Sequence, residues 1–214
     1  MKKQYRNITL AIDIDDCVCN TFEMDKASGI YYANKNNISL TKEMLDTQNF
    51  FIPGVFNFTK EQELDFFIKE KQFIMKHNYM YPKVFVKEVI SKLKKLGFKI
   101  IFITSRDNIF WNGNSKKYSK NWLKKYHIKY DKLYSNVKDK FELCKMLNVD
   151  YMIEDNPDFV EKLNNNNIKT ILVKADYNKD YSNKLNIFVE NWLDLYIKLG
   201  NLYKFDTNNI IFKD

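Results

Sequence analysis

The sequence predicts an α/β protein: a Rossmann-like parallel sheet flanked by helices, with a small helical cap inserted after the first strand. Three observations predict it. Short, continuous apolar runs recur along the chain, as strands buried on both faces of a parallel sheet do. Segments with helical spacing lie between them, so strand, helix and strand alternate as right-handed crossovers require. The interval from Asn20 to Tyr81 breaks that alternation, because it holds no comparable strand run.

The first run, Ile8-Thr9-Leu10-Ala11-Ile12, ends in acidic residues. Within the long interval, one helix is expected around Met24 to Asn34. A second is expected from Lys60 to His77, opened by a Thr59-x-x-Gln62 capping box. Pro53-Gly54 reads as a turn, and Pro82 as the return to the core. Val86, Val89, Ile90, Leu93 and Leu96 then recur at helical spacing, with Gly97 as the stop. Lys99 to Ile103 is the second strand, followed by a helix over Tyr118 to Tyr126 and a weaker strand at Lys132-Leu133-Tyr134. Helices over Lys140 to Leu147 and from Pro157 through Leu163 enclose the strand Tyr151-Met152-Ile153, and Thr170 to Val173 follows. The expected boundaries are 1–19 with 82–200 for the core, 20–81 for the cap and 201–214 for a tail.

Composition narrows the function. The chain has 214 residues, 45% hydrophobic and 29% charged, enough for one buried core and a modest insertion. No apolar stretch approaches the roughly 20 residues of a membrane span, and no signal peptide is read, so no membrane partner is expected. Three cysteines, Cys17, Cys19 and Cys144, are too few for a disulfide framework and favour a reducing, cytoplasmic location. Only His77 and His127 are histidines, which argues against a histidine triad or a multi-histidine metal site. The net charge of +8 comes from lysines scattered along helices; it attracts phosphate-bearing partners in general, and dedicated nucleic-acid binding is not expected.

Ligands bind at the carboxyl ends of parallel strands. Here three apolar runs end in chemically useful residues: Asp13-Ile14-Asp15-Asp16, Thr104-Ser105-Arg106-Asp107 and Glu154-Asp155-Asn156-Pro157-Asp158. Lys140 stands shortly before the last. The set suits phosphoryl transfer. Asp13 and Asp155 offer hard oxygen ligands to Mg²⁺, and a carboxylate can attack phosphorus to form an aspartyl-phosphate. Asp15, two residues on, is placed to protonate the leaving oxygen and then deprotonate water. Thr104, the backbone N–H groups beside it at Ser105, and Lys140 would bind the equatorial phosphate oxygens. Lys138 competes with Lys140, which is preferred because it opens a helix near the strand ends.

These residues resemble the haloacid dehalogenase (HAD) superfamily of aspartate-nucleophile phosphatases. Its D-x-D-x-[T/V] motif corresponds to Asp13-Ile14-Asp15-Asp16-Cys17, its Ser/Thr to Thr104, its lysine to Lys140 and its acidic motif to Glu154-Asp155. The resemblance implies that Asp13, the backbone carbonyl of Asp15, and Asp155 hold Mg²⁺. Within the superfamily the chain is most similar to the 5′(3′)-deoxyribonucleotidase group and its bacterial nucleotidase relatives. Two positions depart from the pattern. Cys17 replaces Thr or Val, and Asp16 stands where many nucleotidases have Gly.

The expected function is therefore a Mg²⁺-dependent phosphomonoesterase acting on a nucleoside monophosphate. The alternatives are a phosphatase for another small metabolite or a nucleic-acid end, or a phosphate-binding module with weakened catalysis. Several roles stay open. Arg106 is either a structural ion pair or a phosphate or cap contact, Glu154 a ligand or a support, and Asp158 a helix-start residue or part of the metal surroundings. Phe50, Phe51 and Phe56 either pack the cap or meet a substrate's base.

Overall fold

The apolar runs pair as buried parallel strands should. The computed structural model describes residues 5–77, 79–108, 113–181 and 187–208. Residues 1–4, 78, 109–112, 182–186 and 209–214, which the expected boundaries assign to core, cap and tail, lie outside the described residues. The strands are β1 (Thr9–Ile12), β2 (Lys99–Ile103), β3 (Lys132–Tyr134), β4 (Tyr151–Glu154), β5 (Thr170–Val173) and β6 (Ile187–Val189). They form one sheet in the order β3-β2-β1-β4-β5-β6, parallel throughout. The order reverses between β1 and β4, so the carboxyl ends of those two strands flank the switch point.

Side chains alternate across the sheet with the period of the pleat. Leu10, Ile12, Ile100, Phe102, Ile153 and Val173 face one layer, with α6 (Val86–Leu96), α7 (Ser115–Lys125) and α10 (Trp192–Tyr203). Ala11, Ile101, Ile103 and Met152 face the other, with α8 (Lys140–Met146) and α9 (Pro157–Asn165). Burial on both faces is why these strands read as unbroken apolar runs. Gly97 ends α6 at φ 110°, a left-handed conformation open to glycine at little cost.

Between β1 and α6 the described residues form helices and loops: α1 (Thr21–Lys35), α2 (Lys42–Leu45), α3 (Ile52–Val55), α4 (Lys60–Phe66), a π-helical turn over Phe67–Lys71, and α5 (Gln72–Lys76). The capping box at Thr59 and Gln62 forms. Pro53-Gly54 does not make a simple turn; it lies inside α3, where proline occupies the first helical turn and gives up no needed donor. The chain leaves and re-enters the core along adjacent paths, with Cys19 bridged to Pro82 and the Lys83 amide donating to the Val18 carbonyl at 2.8 Å. The helix α10 carries three residues past Gly200 into the segment expected to be a tail, and Phe205 beyond it packs on Tyr5, Phe98 and Tyr196. Among the described residues no helix is long and apolar enough to cross a membrane.

Candidate active site

The strand ends meet at a cavity of about 360 Å³. Asp13 follows β1, tied there by its amide donating to the Ile153 carbonyl of β4 at 3.0 Å. The chain then turns tightly, the Cys17 amide donating to the Asp15 carbonyl at 2.6 Å. Asp16 carries the turn at φ 50°. That conformation explains why glycine serves at such a position and how aspartate, among the residues that tolerate it best, can replace it. The Asp16 carboxylate accepts from the Phe22 amide at 2.9 and 3.2 Å, so its charge caps the first turn of α1.

Lys140 is the first residue of α8, and Asp139 caps that helix by accepting from the Phe141 and Glu142 amides. A cation at a helix N-terminus is electrostatically disfavoured, and Lys140 is also buried. Two carboxylates compensate: its ammonium donates to Asp13 at 2.8 Å and to Glu154 at 2.7 Å, and lies 4.5 Å from the centre of the Phe159 ring. These partners hold the ammonium well above the usual lysine range against the opposing effect of burial. Burial pushes the Asp13 carboxyl up to about 7, Glu154 and Asp15 adding to the rise and Lys140 opposing it. Lys138, by contrast, points to solvent and pairs with Asp107 at 3.3 Å.

Across the switch point, Asp155 is raised well above the carboxylate range by burial and by the charges of Glu154, Asp13 and Asp16. A carboxylate oxygen each from Asp13 and Asp155 and the Cys17 sulfur lie within 4.8 Å of one another. Two buried carboxylates at a junction of strand ends, the charge of Asp13 adding to the rise at Asp155, suit a hard divalent cation. The donor set of Asp13 and Asp155 therefore fits Mg²⁺. Cys17 donates its thiol proton to Asp155 Oδ1 at 3.2 Å, and burial pushes that thiol up, which removes it as a nucleophile.

Asp15 faces a different environment. Arg106 grips it with two hydrogen bonds, Nε to Oδ2 at 2.8 Å and Nη2 to Oδ1 at 2.7 Å, and Thr21 adds a third at 2.7 Å. Burial alone would raise this carboxyl, but Arg106, with help from Lys71 and Thr21, holds it well below the usual range. Arg106 is itself buried and held by Ser119 at 3.0 Å. Thr104 is buried, and its hydroxyl accepts from the Arg106 amide at 3.3 Å. The Ser105 hydroxyl is buried without a partner among the described residues, and Ser105 is one of the residues that line the cavity.

The aromatic candidates divide. Phe50 and Phe51 line the cavity and are 50% and 42% exposed. Phe56 is fully buried with Phe22 and Ile52 in a separate small core and packs against Gly29 of α1, which fits the first of its two expected roles, packing the cap. Asp158 sits exposed in the first turn of α9, after Asn156 caps that helix at 2.9 Å, and stays outside the cavity lining. Its place is that of an acid favoured by the helix dipole.

The sequence from 6 to 202 matches the family described as 5′ nucleotidase, deoxy (pyrimidine), cytosolic type C protein. The chain belongs to this family. As a member of this deoxynucleotidase family it is a hydrolase of the nucleotidase, phosphatase type. A comparison with curated proteins found no match. Solved structures share the fold. A phosphatase predicted in Clostridium acetobutylicum aligns at 20% identity and a TM-score of 0.61, covering 91% of this chain and 98% of that one. A HAD-superfamily hydrolase from Geobacter sulfurreducens gives 11%, 0.61, 90% and 96%. The magnesium-bound HAD hydrolase YfnB of Bacillus subtilis gives 13%, 0.59, 91% and 99%.

Several cavity residues of this deoxynucleotidase-family chain carry no motif. Tyr177, in a 3₁₀ turn after β5, donates its hydroxyl to Asp155 Oδ2 and touches Phe22 and Phe50 edge-on. Asn178 fixes the backbone below, donating to the Asp155 carbonyl at 2.6 Å. Asp25 and Lys71 complete the far wall. Only Asp25 left a readable signal. It falls one turn after Thr21 on the buried stripe of α1, an acid where small and apolar residues prevail.

Proposed function

We propose that this chain hydrolyses nucleoside monophosphates through an aspartyl-phosphate on Asp13, with residues 20–81 acting as a cap over the strand ends. The reading is carried by one observation. A buried carboxylate, Asp13, faces a buried cation at 2.8 Å and a second metal-suited carboxylate across the switch point, all opening into one cavity with an aromatic outer wall. The family's description names pyrimidine deoxynucleotides, which supports a base-bearing substrate.

In this mechanism the Asp13 carboxylate attacks phosphorus and the ester oxygen leaves. Lys140 and the Thr104 and Ser105 groups hold the phosphate oxygens as charge spreads over them. Asp15 gives a proton to the leaving oxygen and later takes one from the water that cleaves the Asp13–phosphate bond, which returns the carboxylate and releases phosphate. While Arg106 holds both its oxygens, Asp15 has no proton to give, so proton transfer requires it to turn from Arg106 toward the cavity and to take up a proton from solvent before the ester oxygen leaves. Asp13, Asp155 and the Asp15 carbonyl would hold Mg²⁺, which when bound would supply the positive charge that lets a phosphate dianion approach a carboxylate.

The test is hydrolysis of a panel of phosphomonoesters with and without Mg²⁺. Activity is expected to vanish in excess chelator and to return with Mg²⁺, and Asp155→Asn is expected to raise the Mg²⁺ needed for half-maximal rate at least about tenfold, since an amide is a poorer ligand for a hard cation. Full activity in chelator would overturn the metal role. A wild-type preference for sugar phosphates over every nucleotide would overturn the substrate.

The aromatic wall gives a second measurement. Truncating Phe50 or Phe51 to Leu is expected to lower nucleotide kcat/KM about ten- to hundredfold relative to an aryl phosphate, from a stacking contribution of roughly 1–3 kcal/mol. Phe56→Ala is expected instead to cost about 3–5 kcal/mol of stability in denaturant unfolding and to lower all substrates together. The reverse pattern would exchange the two assignments.

A further inference from the structure

On the far wall of the cavity the Lys71 ammonium donates to Asp25 Oδ2 at 2.6 Å, and both side chains are largely buried. Among the described residues Asp25 Oδ1 accepts no hydrogen bond, and Lys71 donates only to Asp25. An ammonium offers only donors and a carboxylate only acceptors. Side by side, they match a group that gives one hydrogen bond and receives another, which is the requirement of an alcohol.

Their place fits the leaving group. Thr21 donates to Asp15, and Asp25 lies four residues later on the same buried face of α1, about one turn or roughly 6 Å further along the axis. Lys71 closes the π-helical turn over Phe67–Lys71, a change of helical register of the kind that recurs at functional sites. Phe67 lies under its ammonium at 5.4 Å and lines the cavity with it. The charge balance agrees. Lys71, Arg106 and Lys140 are the cavity's cations among the described residues, and each already faces a carboxylate. A second anionic group on the substrate would therefore meet no unmatched positive charge, whereas a neutral hydroxyl finds both its partners.

We infer that Asp25 and Lys71 form a subsite for a hydroxyl of the leaving group, one carried within a few bonds of the ester oxygen, as on the sugar of a nucleotide. The inference rests on the reading of this cavity as a phosphomonoesterase site. The same two helices are also tied by Tyr32 to Asp65 at 3.1 Å and Lys35 to Glu70 at 4.0 Å. Those pairs lie outside the cavity lining, so a strut alone does not account for the third pair's position.

The test removes the hydroxyls and the pair in one cycle. For the wild type, uridine 5′-monophosphate is expected to exceed its 2′,3′-dideoxy analogue in kcat/KM by about ten- to hundredfold, the range for hydrogen bonds to charged groups. In Lys71→Met and Asp25→Asn the same deletion is expected to cost less than about threefold. If the wild type ignores the hydroxyls, or if both variants lose as much as the wild type on their removal, the pair is a strut only and the inference fails. The wild-type comparison needs no variant to fold. If no nucleotide is hydrolysed but glycerol phosphate is, the nucleotide reading alone fails, and the cycle is run on glycerol phosphate against propyl phosphate with the same criteria.

Discussion

Asp13→Asn is expected to abolish turnover of every phosphomonoester, a loss of about 10⁴-fold or more, because the attacking carboxylate is replaced by an amide that cannot form the phosphoenzyme. Asp15→Asn is expected to fail selectively. It removes the proton shuttle while the nucleophile stays, so an aryl phosphate with a good leaving group should retain far more of its rate than a nucleotide does. Single-turnover kinetics on both substrates separate the two variants. A fluoroberyllate adduct, mimicking the phosphoenzyme, is expected on Asp13. An adduct elsewhere, or equal losses in both variants on both substrates, would overturn the assignment. Asp13→Asn should stay folded, since Lys140 keeps its 2.7 Å bond to Glu154.

The second large effect is on stability. Lys140 is the buried cation that faces both Asp13 and Glu154, with Asp155 adjacent to Glu154 in sequence. Lys140→Met leaves those carboxylates without it, and breaking a buried pair in this way costs about 3–5 kcal/mol. For a chain of this size that corresponds to a fall of roughly 6–20 °C in Tm. The deficit carries a pH signature in metal-free buffer. Asp13 already titrates at about 7 with Lys140 opposing the rise, and loss of the ammonium raises it further. A carboxyl raised above its unfolded value of about 4 binds more protons when folded. Its favourable contribution is therefore complete at low pH and is lost as pH rises through the raised value. The gap between Lys140→Met and wild type should widen from pH 5 to pH 8 in thermal unfolding. A gap that narrows over that range would contradict the charge assignment.

Much of the fold was readable because its cause is local. Lys99–Ile103 and Thr170–Val173 are strands at the residues where their apolar runs lie, and even the weak run at Lys132–Tyr134 pairs, at the β3 edge. Thr59 and Gln62 are three residues apart and cap each other wherever the helix sits. The strand Ile187–Val189 and the helix after it went unread. Three residues with only one fully buried carry little pattern, and the edge place of β6 comes from its neighbour β5.

The candidate site divides on the same line. That acids, a threonine and a lysine gather at strand ends follows from sequence alone, since a parallel sheet sends the end of every strand to one edge. Which carboxylate meets which cation does not follow. Arg106 reaches Asp15 across 91 residues, and Lys140 reaches Asp13 across 127. In the sequence Phe50, Phe51 and Phe56 form one aromatic group with two open roles; only the packing of α1 on α3 turned Phe56 inward and left the other two on the cavity wall. Tyr177, Asp25 and Lys71 belong to no motif and enter the site only because distant segments converge there. The sequence by itself determined the sheet, the acidic strand ends and the chemistry they can support, because those depend on backbone pattern and residue type. The tertiary structure alone decided the charge pairing and the cavity's far wall. Ion pairing and packing depend on which atoms come close together, and proximity between residues far apart in the chain is set by how the whole chain folds.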